Sequence, residues 1–489
     1  YHLTSLLLHV LNSLLSYFLA GRLFRLAARN PDPSSDFALR IAAGFAALFF
    51  AVHPLRVEPV AWISARNDLV CGVFFLSSLL CYLKAGTDKK RDWLRIAAIL
   101  YAFSLLSKGS AMMLPMVLLV LDVYPLRRLG PGKWFGIEQR RVWWEKIPFV
   151  LLGLGAGVIA FFAKSETATL AYFSPHGIGA QLAQTLYGLA FYLWKTIIPV
   201  GLSPLYELPA NLNPWEWRFI VGAAASLAVT IVAVVARRSR PAFLASWACY
   251  VILIIPVSGL IQSGPQLVAD RYSYLSCLGW AVVLGGIVAN LLRRKSTEPI
   301  TIRDLELGVS LFVIVEFGVL TWRQTQVWHD SESLYGYFLI ILGWAVVLGG
   351  IVANLSRRGA TQRITIRDLG VGVSLLVIVE LGVLTWKQTQ VWHESEKLWE
   401  YVLATTPQNS IAHNNLGVIA ERRGKLEQAM KHYRQSLQIR SDNEEAHFNL
   451  GVILAGRGKL DEAMEHYRKA LQIDRDFAPA ANNLAWNLV

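Results

Sequence analysis

Apolar runs of about 17 to 22 residues, repeated along most of the chain and separated by short turns rich in arginine and lysine, limit most strongly what this sequence can fold into. At 1.5 Å per residue, a helix of that length crosses ~30 Å of hydrocarbon. The bilayer interior offers the backbone no water, so such runs read as helices. Composition agrees: 54% of the 489 residues are hydrophobic and 17% charged, too apolar a balance for a soluble chain of this size. The net charge of +13 does not point to nucleic acid, because the basic residues collect in the turns, as in "KKR" at 89–91, "RR" at 127–128 and 140–141, "RRSR" at 237–240 and "RRK" at 293–295. That is the positive-inside pattern of a multispanning protein.

With the basic turns assigned to the cytoplasm, spans are predicted near 4–21, 38–52, 68–84, 93–107, 110–124, 147–163, 217–236, 242–261, 274–292, 305–321, 337–355 and 369–385, about twelve in all. Residues 53–67 then lie on the opposite side. The stretch 181–199, with Gln181, Gln184 and Lys195 among its aromatics, is read as an interfacial or re-entrant helix. Residues 278–337 recur at 342–401, an offset of 64, with "LGWAVVLGGIVAN", "ITIRDL" and "TQVWH" in both copies. This is a recent tandem duplication or an error of sequence assembly. Trp322, Trp328, Trp386 and Trp392 are expected at the outer interface as an aromatic belt. The four cysteines, Cys71, Cys81, Cys249 and Cys277, form no CxxC pair and indicate neither a metal nor a redox compartment.

After 385 the pattern changes to soluble helix. Residues 409–442 and 443–476 align at a spacing of 34, with Leu416, Gly417, Ala429 and Tyr433 answered by Leu450, Gly451, Ala463 and Tyr467. That is the tetratricopeptide period, in which small residues let paired helices approach and tyrosine fills between them. A partial repeat occupies 477–489, and 386–408 reads as an interfacial linker whose "LWEYVLATTP" caps the array. Such arrays hold peptides in a concave groove, so Asn415, Asn449, His413 and His447 are candidates for partner binding. The expected fold is therefore all-α: a polytopic α-helical membrane domain over 1–385, then a tetratricopeptide α-solenoid.

Three short motifs carry charge on the face opposite the basic turns. "HPLRVEPVAWISARNDL" at 53–69 gathers His53, Arg56, Glu58, Arg66 and Asp68 beside Trp62. Lys108 in "LLSKGSAMMLPM" either snorkels to the surface or faces a ligand. Arg271, flanked by Tyr272 and Tyr274 in "ADRYSYL", is a phosphate clamp or an interface anchor. Asp68 pairs with Arg66, opens a helix, or takes part in chemistry. Several cations in a greasy surround suit a lipid-phosphate ligand whose tail stays in the bilayer.

In this order, "HPLRVEPVAWISARNDLVCGVFFLSSLLCYL", "LLSKGSAMMLP", "ADRYSYL", the tryptophans at 386–399 and the terminal repeats resemble the transmembrane and tetratricopeptide repeat family of protein O-mannosyltransferases and its bacterial relatives. That resemblance implies a GT-C-like membrane glycosyltransferase. It would move a sugar, mannose in that family, from a polyprenyl-phosphate donor to a Ser or Thr hydroxyl of a protein on the non-cytoplasmic side. His53, Glu58, Arg66 and Asp68 fall on the family's loop motif and Lys108 on its lysine motif. The implied catalytic residues are Glu58, Arg66, Asp68 and His53, with Glu58 orienting the acceptor or a divalent metal such as Mg or Mn. Arg56, Lys108, Arg271 and Tyr272 would bind the donor phosphate. Two positions depart from the pattern: Arg56 stands where a second histidine is usual, and Gly109 where an acid follows the lysine. A first outer loop with paired acids is expected ahead of Tyr1, so the chain as given would lack one catalytic loop. "VAWISAR" is closer to the bacterial relatives, which predicts an inner membrane with a periplasmic array; an ER membrane with a lumenal array is the alternative. A non-catalytic, membrane-anchored repeat scaffold is the second functional reading.

Overall fold

The structure is a computed structural model, and it describes residues 2–28, 33–88, 91–130, 132, 134–166, 177–203, 205–209, 212–260, 266–293, 366–392 and 394–486. It divides into two compact units, a membrane unit (1–200, 215–263 and 271–388) and a repeat unit (201–214, 264–270 and 389–489).

In the membrane unit, α1 (His2–Ala28) is followed by α2 (Pro33–Ala51), the five-residue α3 (Val57–Ala61) and α4 (Arg66–Asp88). Next come α5 (Arg91–Ser107), α6 (Leu114–Val123), α7 (Ile137–Glu166) and α8 (Ile178–Ile197). Then follow α9 (Trp217–Val235), α10 (Pro241–Ile254), the single-turn α11 (Ser273–Ser276), α12 (Leu278–Arg293) and α13 (Ile366–Val391). Helical segments overlap each expected span within the described residues, though 110–124 and 242–261 are met only by the shorter apolar helices Gly109–Val123 and Pro241–Val257. The spans at 305–321 and 337–355, the second copy of the duplication up to 365, and Trp322 and Trp328 lie outside the described residues. Among those described, four helical stretches are long and apolar enough to cross alone: Leu3–Ala28, Ile63–Asp88, Gln139–Ile159 and Trp217–Val235. Two more become candidates as bent pairs, with a 59° break between Asp36–Ala51 and Pro54–Ala61 and a 52° break between Asp270–Ser276 and Leu278–Arg293. The helix α8 is unbroken, and its 20 residues reach about 30 Å, yet it is not among the stretches apolar enough to cross.

Small and hydroxyl side chains set the helix contacts, as expected where lipid is as apolar as leucine. Ser78 donates to the carbonyl of Ala97 (2.7 Å) and Ser104 to that of Cys71 (3.1 Å), joining α4 to α5. The main core is built on Leu69, Phe75, Leu76, Tyr82, Tyr101 and Phe149.

The repeat unit contains α14 (Ser395–Thr405), α15 (Ser410–Arg422), α16 (Leu426–Ile439), α17 (Glu444–Gly456), α18 (Leu460–Ile473) and α19 (Ala478–Trp486). The repeat pattern is explained by packing: a Cβ on Gly417 would lie 2.4 Å from the Tyr433 ring, and one on Gly451 2.7 Å from that of Tyr467. Asn409 and Asn443 cap α15 and α17, accepting from the amides of Ala412 (2.8 Å) and Ala446 (3.0 Å).

This unit also includes two loop segments, 201–214 and 264–270, that no sequence pattern joins to it. They form an antiparallel ribbon, β1 (Tyr206–Glu207) against β2 (Gln266–Val268). Glu207 accepts from the backbone amide of Ser410 (2.8 Å) and from its hydroxyl, and lies 3.7 Å from the Arg440 guanidinium. The start of the array is thus held by a carboxylate some two hundred residues upstream. Tyr206 secures the ribbon from within, receiving a bond from the amide of Ser203 (2.8 Å) and donating to Asp270 (3.2 Å).

Candidate functional site

Residues 53–67 fold as a hairpin of short helical turns, because Pro54 and Pro59 interrupt regular helix after α2. His53 is fully buried and caps the first turn: Nδ1 accepts from the amide of Leu55 (3.2 Å) and Nε2 donates to the carbonyl of Thr196 (3.1 Å). Both ring nitrogens are therefore bound to backbone, and the geometry gives His53 the part of fixing the hairpin.

Arg56 is buried as well. Its guanidinium lies over the rings of Phe50 (5.0 Å) and Tyr274 (5.6 Å) and donates to the hydroxyl of Ser273 (3.2 Å). Beneath it, α1 presents Ser5, His9, Asn12 and Ser16, all buried and spaced at i, i+4, i+7 and i+11, hence on one face. His9 Nδ1 is bonded to the Tyr274 hydroxyl (2.9 Å), and the Asn12 amide donates to the same oxygen (3.0 Å). This face fixes the ring that supports Arg56. Sequence reasoning missed these four residues, although polar side chains at helical spacing inside an apolar run were a signal available to it.

Glu58 is 2% exposed, and both carboxylate oxygens are engaged by Arg271, one by the guanidinium and one by the backbone amide (2.7 Å). The Arg271 guanidinium sits 4.9 Å from the Trp62 ring and 5.0 Å from that of Tyr272. An acid and a cation 213 residues apart in sequence thus form one buried ion pair between aromatic faces. Asp68, in the first turn of α4, accepts from Lys108, whose ammonium is 5.8 Å from the Tyr272 ring. Lys108 therefore turns inward instead of snorkelling. Asp68 Oδ2 is buried and has no hydrogen-bond partner among the described residues. Arg66 opens α4 with Nε and Nη2 out of solvent. The cluster brings together Arg56, Glu58, Asp68, Lys108, Arg271 and Tyr272 from five separate elements.

The four candidates in the array divide differently. His413 faces His432 (Nδ1 to Nδ1 3.2 Å) and His447 faces His466 (2.9 Å), one pair in each repeat. Burial lowers the pKa of all four imidazoles below the ordinary 6.5. Asn449 donates to Asn414 of the preceding repeat (3.2 Å), while Asn415 donates to the carbonyl of Ile411 (2.8 Å).

No group of three or more His, Cys, Asp or Glu side chains that could hold a metal ion occurs among the described residues. With both oxygens of Glu58 held by Arg271, these residues do not fit a divalent cation.

Sequence missed a second buried charge cluster. Asp122, fully buried near the end of α6, pairs with Lys146 of α7 and with Arg128 (3.4 Å), while Arg128 also pairs with Glu145. The Tyr82 hydroxyl donates to Asp122 (2.7 Å).

These features define the class: a multi-pass helical membrane protein with a cation-rich, aromatic-lined cluster beside its spans and a tetratricopeptide repeat domain at its C-terminal end. The tetratricopeptide repeat family model matches residues 408–476. The resemblance to the protein O-mannosyltransferases is borne out over nine tenths of the chain. Its sequence is 24% identical over 473 residues to protein O-mannosyl-transferase Tmtc3 of Drosophila melanogaster, covering 90% of this chain and 46% of the relative. It is 21% identical over 486 residues to protein O-mannosyl-transferase TMTC1 of Homo sapiens, covering 90% and 45%. A shorter match, 36% over 89 residues, joins it to protein O-mannosyl-transferase tmtc2 of Xenopus laevis, covering 17% of this chain and 11% of the relative. The chain spans just under half the length of the first two.

Proposed function

We propose that the protein is a membrane glycosyltransferase that moves a sugar, mannose by the names of its relatives, from a polyprenyl-phosphate donor to a Ser or Thr hydroxyl of a protein. Transfer occurs on the side opposite the basic turns, and the repeat array binds the acceptor or a partner. The observation that carries this reading is the charge of the cluster: among the described residues, Arg56, Lys108 and Arg271 lie with two carboxylates, Glu58 and Asp68. Cations in surplus, partly dehydrated and backed by aromatic rings, are suited to an anion that brings its own apolar tail.

In the reaction, the bond from the sugar's anomeric carbon to the phosphate oxygen breaks and one to the acceptor oxygen forms. The electron pair of the broken bond passes to the phosphate, and Lys108, Arg271 and Arg56 stabilise the charge that builds there. Glu58 positions Arg271, since both of its oxygens are held by that residue. The acceptor proton needs a carboxylate within ~3 Å. Of the two here, Asp68 has the oxygen without a hydrogen-bond partner among the described residues, Oδ2, while Lys108 holds the other.

Membranes containing the full-length protein would be incubated with radiolabelled polyprenyl-phosphate mannose, and label in protein followed. Incorporation that disappears in Asp68→Asn and Arg271→Gln supports the reading. Unlabelled protein, with partner capture by the array intact, would establish the scaffold instead.

A further inference from the structure

Between α1, α4, α6, α10 and α12 lies a partly open cavity of about 610 Å³, with Leu275 and Ser276 at the end nearer the charged cluster, within the ~300–1,000 Å³ range of ligand sites. Its walls are mostly apolar; Phe24, Phe75 and Val283 are typical, with Ser239, Ser246 and Asn290 among the polar exceptions, and Gly279 and Gly286 leave room on α12. Its lining contains no Asp or Glu and two cations, Arg240 and Arg293. These belong to the basic turns "RRSR" and "RRK", one just ahead of α10 and the other in the last turn of α12. Neither guanidinium makes an ion pair among the described residues. An apolar slot with two unneutralised arginines at the basic-turn end of the bundle is the complement of a lipid with acyl chains and a negative headgroup.

We infer that this cavity is a binding site for an anionic phospholipid of the leaflet that the basic turns face, its chains among α4, α10 and α12 and its phosphate held by Arg240 and Arg293. The occupant is a resident lipid, chemically distinct from the sugar donor of the Glu58 cluster, with its phosphate at the opposite, basic-turn end, and the site stands whether or not the protein transfers sugar. A zwitterionic lipid, whose ammonium would meet the same two arginines, is disfavoured.

The test uses the full chain purified in mild detergent, washed extensively, and extracted for lipid mass spectrometry. Phosphatidylglycerol is expected to be retained at about one molecule per chain. When the protein is exchanged into mixed micelles, phosphatidylglycerol should raise the thermal unfolding midpoint and phosphatidylcholine should not. Arg240→Gln with Arg293→Gln, both at exposed positions, should lower phosphatidylglycerol retention at least tenfold, and the corresponding lysine pair should restore much of it. Val283→Trp, which fills the cavity without touching a charge, should displace the lipid too. Equal retention of the two phospholipids, or retention unchanged in the glutamine pair, overturns the assignment. Retention of polyprenyl phosphate in place of phosphatidylglycerol also overturns it, giving the cavity to the donor's tail.

Discussion

Two buried charge clusters lie in one helical bundle and differ in their balance. At Asp122, two acids (Asp122, Glu145) meet two inward cations (Arg128, Lys146) around the Tyr82 hydroxyl, so the buried charges sum to zero, with the mostly exposed Arg141 on Glu145 outside that sum. At Glu58, among the described residues, two acids lie with three cations. A buried pair is costly to break yet adds little by existing, because desolvation offsets most of the attraction. A balanced set is thus complete in itself and joins α6 to α7, whereas an unbalanced one leaves positive potential for a ligand. Charges in a membrane protein are functional candidates by default; the balance within a cluster separates structural charges from those available to a substrate.

The contrast breaks most visibly at Lys146. Replacing it with alanine leaves Asp122 buried beside a lost partner and should cost about 3–5 kcal/mol, read as a fall in folded protein recovered from membranes. Removing both charges, with Asp122→Leu and Lys146→Met, should restore most of that loss, and a double variant as unstable as the single would show that the pair has a further role. At the other cluster, Glu58→Gln frees the Arg271 side chain it positions and should lower transfer by about 10²–10³-fold, with less effect on folding than Lys146→Ala.

The repeat unit sharpens the comparison at smaller scale. Glu207→Gln weakens a charged grip on Ser410 and Arg440, a change of about 1.5–3 kcal/mol confined to the start of α15, where hydrogen exchange at the Ser410 amide should quicken. In the histidine pairs, burial lowers the imidazole pKa values below 6.5, so the folded pairs hold fewer protons than the unfolded chain. Their contribution to stability is whole above that value and is lost as pH falls from 6.5 through the lowered values. Protection factors in α15 to α18, corrected for the intrinsic exchange rate, should therefore be lower at about pH 5.5 than at about pH 7.5, and His466→Gln should flatten the difference. Least of all, Arg95→Ala removes an ion pair with Asp92 that is mostly in solvent, and should shift stability by under about 1 kcal/mol.

The helices were legible because the bilayer and the 34-residue period each impose a pattern on sequence: apolar length in one case, small residues opposite tyrosine in the other. Glu58, Lys108 and Arg271 were legible as residue types out of place. Their partners were not, because the Glu58 pair closes over 213 residues and the Asp68 pair over 40, distances at which no periodicity operates. Asp122 and Lys146 escaped notice for another reason. A single charge near the end of an apolar run reads as one reaching for water, and only folding shows the two turned toward each other. The ribbon at Glu207 was hidden because its strands have two and three residues, too few to show alternation.

That ribbon changes how the array could be cut away. Its unit is stitched from three lengths of chain, 201–214, 264–270 and 389 onward. A stop codon after 388 would strip Glu207 of the amide and hydroxyl it serves and leave an acidic flap behind. Transplanting the array to another carrier would require both inserted pieces to travel with it.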